Sequence, residues 1–121
     1  MNREIVVEAL VNHIEGLGMK EIRAGIKGYP DPKKIKIRES QTSYSPDILA
    51  KTDKKVYLFD FADDPDALQK FAQKWKLFST YTRNNHGDFY VVSMANREYT
   101  VKNFLDEQNI KAKVFPISTT E

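Results

Sequence analysis

The spacing of apolar residues divides the chain into alternating helical and extended stretches. From Glu4 to Leu17, Val6, Val7, Leu10, Ile14 and Leu17 recur mainly at intervals of three and four, which lays them along one stripe of an amphipathic helix. Gly16 and Gly18 are expected to stop it. The pattern weakens from Ile22 to Ile37, where Gly25, Gly28, Pro30 and Pro32 break any long helix and Tyr29-Pro30-Asp31-Pro32 reads as a turn. Lys34 to Arg38 alternates like an exposed strand, and the polar, unpatterned Glu39 to Ser45 reads as a loop.

Pro46 to Ala50 and Val56 to Ala62 are β-prone runs joined by the polar Lys51 to Lys55, an arrangement that predicts a hairpin. The second run is apolar on both faces, as a central strand covered from both sides requires. Asp64-Pro65 is expected to start a helix, with the aspartate capping the first backbone N–H groups and Leu68, Phe71, Ala72, Trp75 and Phe78 on the inner stripe. Asn84 to Asp88 is a turn cluster, followed by a β-branched and aromatic strand at Phe89 to Met94. A third helix is expected from about Tyr99 to Gln108, with Val101, Phe104 and Leu105 inward and Asn109 as a left-handed cap, before a last strand from Ala112 to Ile117. This order predicts an α/β fold: a mixed sheet flanked by helices.

Length and composition then narrow the class. At 121 residues and 40% hydrophobic content, residues 1–121 suit one ordinary domain with one site. The absence of cysteine excludes disulfides and thiolate metal sites, and makes a reducing compartment the natural expectation. The opening residues, interrupted by Glu8 and His13, do not read as a secretory signal, and no stretch has the apolar length that spans a bilayer. The expectation is a soluble cytoplasmic protein with no membrane partner.

The net charge of +2 says little, but its distribution is uneven. Between Lys20 and Arg38 seven basic residues, Lys33, Lys34 and Lys36 among them, face only Glu21 and Asp31. From Leu68 to Arg83 there are Lys70, Lys74, Lys76 and Arg83 with no acid, while Asp60, Asp63, Asp64 and Asp66 crowd the segment just before. Basic runs around an acidic centre can steer an anionic polymer to a cation site. The plain alternative is that the lysines solvate exposed faces.

At Ser45-Pro46-Asp47-Ile48 followed by Tyr57-Leu58-Phe59-Asp60-Phe61-Ala62, the chain resembles the PD-(D/E)XK nuclease superfamily. The resemblance follows the element order over nearly the whole chain and implies a restriction-endonuclease-like fold as a single domain. It also implies phosphodiester hydrolysis with Mg²⁺, because a hard cation that neutralises phosphate and activates water takes carboxylate oxygens. Matched residue by residue, Asp47 and Asp60 correspond to the metal ligands. The position of the catalytic lysine falls on Ala62, which carries no amine. Some members of such families move the lysine to the following helix, where Lys70 and Lys74 share one flank. Glu8 or Glu15 would match the helix acid that joins the metal site in several members.

Three readings follow. The first is a nuclease-like domain with catalysis reduced or lost, binding DNA or another partner through Lys33, Lys34, Lys36, Lys70, Lys74, Lys76 and Arg83. The second is a Mg²⁺-dependent DNA endonuclease using Asp47, Asp60 and a displaced Lys70 or Lys74. The third is a protein-interaction domain without a nucleic-acid role. Trp75, Phe71 and Phe78 suit base stacking but fit the helical core stripe better. His13 and His86, far apart and without a third ligand at zinc spacing, do not suggest a metal site, and the glycines match no phosphate-binding loop.

Overall fold

Two antiparallel and two parallel pairings set five strands side by side in the computed structural model, which describes residues 3–36 and 42–118. The strands are β1 (Glu21–Ala24), β4 (Ile48–Lys51), β5 (Val56–Phe61), β6 (Asp88–Met94) and β7 (Lys113–Ile117), in the spatial order β1-β4-β5-β6-β7. A separate two-stranded ribbon joins β2 (Ile35–Lys36) to β3 (Ser43–Tyr44). The fold is thus α/β, with a mixed five-stranded sheet flanked by helices in a single domain.

Alternation within β5 explains why the sheet can be covered on both sides. Leu58 and Ala62 point to one core layer, shared with Trp75, Phe78, Val101 and Leu105, while Phe59 and Phe61 point to the other, shared with Val7, Leu10, Val11 and Ile14. Helices α2 (Ala72–Asn84) and α3 (Glu98–Glu107) supply the first layer, and α1 (Arg3–Glu15) supplies the second. Because β5, β6 and β7 run parallel, each step between them needs a crossover, and α2 and α3 are those crossovers. Outer strand β7 carries Lys113 and Pro116, the latter registered opposite Ser93 of β6.

The expected hairpin is present, with Ile48 opposite Phe59 and the Thr52 hydroxyl accepting the Lys54 and Lys55 N–H groups in the turn. Asn109 adopts the left-handed conformation expected of a helix stop, with φ 56°. Other expectations need correction. Leu17 lies beyond α1 and is 63% exposed, because the buried stripe ends at Ile14. Strand β1 falls in the stretch whose pattern weakens; only Ala24 of its four residues is buried, so its alternation is too short to register. Ser43 and Tyr44 pair as β3 within the stretch expected to be a loop. The strand expected over Lys34 to Arg38 is confined to Ile35–Lys36 among the described residues, outside which Ile37 and Arg38 lie. Asp64 does not cap α2: a 3-10 turn at Leu68–Phe71 intervenes, and the Asp64 carboxylate takes the Lys70 ammonium instead.

The return from α2 to β6 depends on a close approach at Gly87. Its N–H donates to the Thr82 carbonyl at 2.8 Å, and a Cβ at this position would lie 1.5 Å from the Val56 carbonyl oxygen. Backbone atoms at the start of β5 have nowhere to go, since the sheet holds them. Gly87→Ala should therefore destabilise the domain by about 3 kcal/mol or more. Urea denaturation checks it, and a midpoint equal to that of the wild type would remove the packing claim.

Candidate carboxylate site

The site begins with an aspartate placed where the sheet is driest. In β5, Asp60 follows Leu58 onto the α2 side and is 1% exposed. An ionised carboxyl there is costly unless donors surround it. Two residues of α2 provide them: Trp75 donates its indole Nε1–H to Asp60 Oδ2 at 2.8 Å, and Lys74 Nζ stands 2.8 Å from the same oxygen. Trp75 is fully buried and stacks on Phe71, with ring centroids 4.8 Å apart, and the Lys74 ammonium lies 5.0 Å from the Phe71 ring centroid. Packing thus sets the donors before they meet the acid. Asp60 Oδ1 is buried and has no hydrogen-bond partner among the described residues.

Burial pushes the Asp60 carboxyl above the ordinary carboxylate range. The Lys74 ammonium, the Trp75 N–H and, at longer range, the Arg3 guanidinium pull it back only in part.

Asp47 approaches from the neighbouring strand. Asp47 immediately precedes Ile48, the β4 residue paired with Phe59 at the end of the ladder. Its Oδ2 accepts the Phe61 N–H at 2.8 Å, so the side chain continues the ladder where the β4 backbone leaves it. The other oxygen pairs with the Arg3 guanidinium from the first turn of α1. Arg3 also holds Asp63 Oδ2 at 2.7 Å and lies 5.8 Å from the Phe61 ring centroid. Three carboxylates, Asp47, Asp60 and Asp63, and two cations therefore surround the end of β5, with Lys74 coming from α2 and Arg3 from α1.

Of the two candidate helix lysines, Lys74 reaches Asp60 and Lys70 does not, since Lys70 pairs with Asp64 at 2.7 Å. Ala62, at the position the resemblance assigns to an amine, is buried in the apolar layer, and its N–H donates to the Val92 carbonyl. Glu15 accepts the Tyr29 hydroxyl, and among the described residues neither Glu8 nor Glu15 joins the aspartates in a cluster of three or more acids. No group of three or more acidic or histidine side chains among the described residues gathers at one point. Trp75, Phe71 and Phe78 are core residues.

The exposed lysines divide. Lys33, Lys34 and Lys36 flank the β2–β3 ribbon, which packs on α2 through Ile35 and through the Tyr44 hydroxyl donating to Gln73 at 3.3 Å. Lys34 borders a cavity of about 620 Å³ that also touches Arg3 and Asp47. Lys76 is exposed two residues beyond Lys74, a spacing that sends the pair to different sides of the helix. Arg83 is about 14 Å farther along the α2 axis than Lys74 and lines a different cavity, so it does not belong to this site. Arg3 and Asp63 were not expected from the sequence, because no spacing rule ties a first-turn arginine to a strand end.

The chain matches no protein family model, no curated protein and no solved structure. Among the described residues, no helix is long and apolar enough to cross a membrane.

Two stability measurements follow. Trp75→Phe keeps the ring but removes the donor to Asp60, and should cost about 1–3 kcal/mol at neutral pH in chemical denaturation. An unchanged midpoint would show that the indole N–H contributes nothing. Asp60 is raised in the folded protein, so its share of stability is complete below the unfolded carboxyl range and is lost as pH rises through the elevated folded value. Relative to Asp60→Asn, the wild type should therefore lose stability as pH is raised from acid toward neutral; a constant difference would contradict the shift.

Proposed function

We propose that the domain is a nuclease of PD-(D/E)XK type that cleaves DNA phosphodiester bonds with Mg²⁺, Lys74 replacing the strand lysine. The contact of 2.8 Å between Lys74 Nζ and Asp60 Oδ2 carries this reading. An amine delivered from the following helix to the second acid of the motif restores the charge that Ala62 lacks. The sheet order and the Asp47 carboxylate on the Phe61 N–H, next to Asp60, support the resemblance on which the assignment rests.

The residues suit the metal. Among the described residues, Asp60 Oδ1 is a buried carboxylate oxygen without a hydrogen-bond partner, and Asp47 Oδ1 pairs with the half-exposed Arg3. Such a pair can hold a Mg²⁺ ion that takes its other ligands from water and substrate. The ion would supply phosphate neutralisation and a more acidic water. Trp75 fixes Asp60, and Asp60 fixes the Lys74 ammonium, which orients the attacking water and balances the growing negative charge. Lys33, Lys34 and Lys36 provide the cationic approach for the DNA backbone.

One observation favours a second reading, a DNA-binding domain with catalysis reduced or lost. Arg3 pairs with both Asp47 and Asp63, which occupies Asp47 Oδ1 without an added cation.

Incubation of purified protein with DNA and Mg²⁺ or Mn²⁺ should produce nicks. Asp47→Ala and Lys74→Met should each lower the rate about 100-fold or more, and wild-type cleavage by Lys74→Met would end the displaced-lysine assignment. Binding without cleavage, falling steeply with salt, would select the second reading. Recovery of cleavage in Arg3→Gln would then identify the arginine as the block.

A further inference from the structure

The cavity beside Asp47 is shaped and charged for something other than a phosphate. It lies between the first turn of α1, the turn after β1 and the segment that leads into β4, and its volume of about 620 Å³ suits a small organic group. Val7, Ile26 and Pro46 give it apolar walls. Its charged lining is Arg3, Lys34, Glu4, Asp31 and Asp47 itself. Arg3 is engaged by Asp47 and Asp63, so Glu4 and Asp31 outnumber Lys34 among the charges that remain. Two carboxylates repel an anion. A flat, neutral ring with N–H donors on its edge meets the opposite reception: apolar surface against its faces and acceptors at its rim. Exposed Lys33 and Lys36, next to Lys34, supply the positive charge that the attached phosphates need outside the cavity.

We infer that this cavity receives the base of one unpaired nucleotide next to the site of cleavage, so that the substrate is DNA with a single-stranded end or branch. The inference rests on the DNA-directed reading above and specifies its substrate class. A base stacked within continuous duplex enters only at the added cost of unstacking and unpairing, which an unpaired base does not bear.

Gly25 offers the means of testing it. It borders the cavity, and a Cβ added there meets nothing within 4 Å, so a side chain at this position grows into open space. Binding is measured with Ca²⁺ replacing Mg²⁺, on a blunt duplex and on the same duplex with a single-stranded overhang containing 2-aminopurine. The wild type should bind the overhang DNA about tenfold tighter or more, with a change in 2-aminopurine emission. Gly25→Phe should bind both DNAs with the blunt-duplex affinity, and Gly25→Ala should match the wild type, both with unchanged melting. Equal wild-type affinity for the two DNAs, or a preference that survives in folded Gly25→Phe, would overturn the inference while leaving the DNA-directed function standing. Failure to bind either DNA would overturn both. If Gly25→Phe does not fold, the wild-type comparison and the emission change decide alone.

Discussion

An acid group placed inside an apolar strand forces its surroundings to be built around it, and Asp60 does this to one whole face of the sheet. Its Oδ2 draws the Trp75 N–H and the Lys74 ammonium to a single point, which fixes both the rotation of α2 and its height over β5. Adjacent helix residues differ by about 100° in direction, so one oxygen can be served by both only when the helix presents the side between them. The stacking of Trp75 on Phe71 then carries the constraint into the 3-10 turn that precedes α2. Polar and apolar requirements thus agree on one docking position.

Asp47 meets its charge differently: with a side chain 9% exposed, it is anchored by the Phe61 N–H and paired with a half-exposed arginine from α1. Asp60 is therefore held by groups that cannot move without disturbing the core, and Asp47 by one that can turn into solvent. This asymmetry gives the carboxylate pair a rigid half and an adaptable half.

Much of this arrangement was legible in the sequence, for identifiable reasons. Long periodic stretches such as the α1 stripe and the apolar run of β5 report burial directly, because every inward residue adds to one signal. Asp60 was singled out by the motif it completes within that run. Lys74 was marked as one of two candidates, and only packing separated it from Lys70, which an aspartate outside the stripe captures. Strands β1 and β3 escaped because short edge pieces bury too little to leave a pattern, whereas β2 lies inside the alternating Lys34 to Arg38 stretch. Arg3 escaped because a charge meeting between a helix start and a strand end is decided by tertiary placement.

The outer strand β7 bears on how this molecule behaves among its own copies. A proline registered opposite Ser93 has no N–H to give, and an outer strand is where the sheet tolerates it. Any foreign strand approaching that margin finds a missing donor at Pro116 and an ammonium at Lys113. An exposed β margin is the usual starting point for uncontrolled stacking at high concentration, and here a single imino acid interrupts the template in its second half.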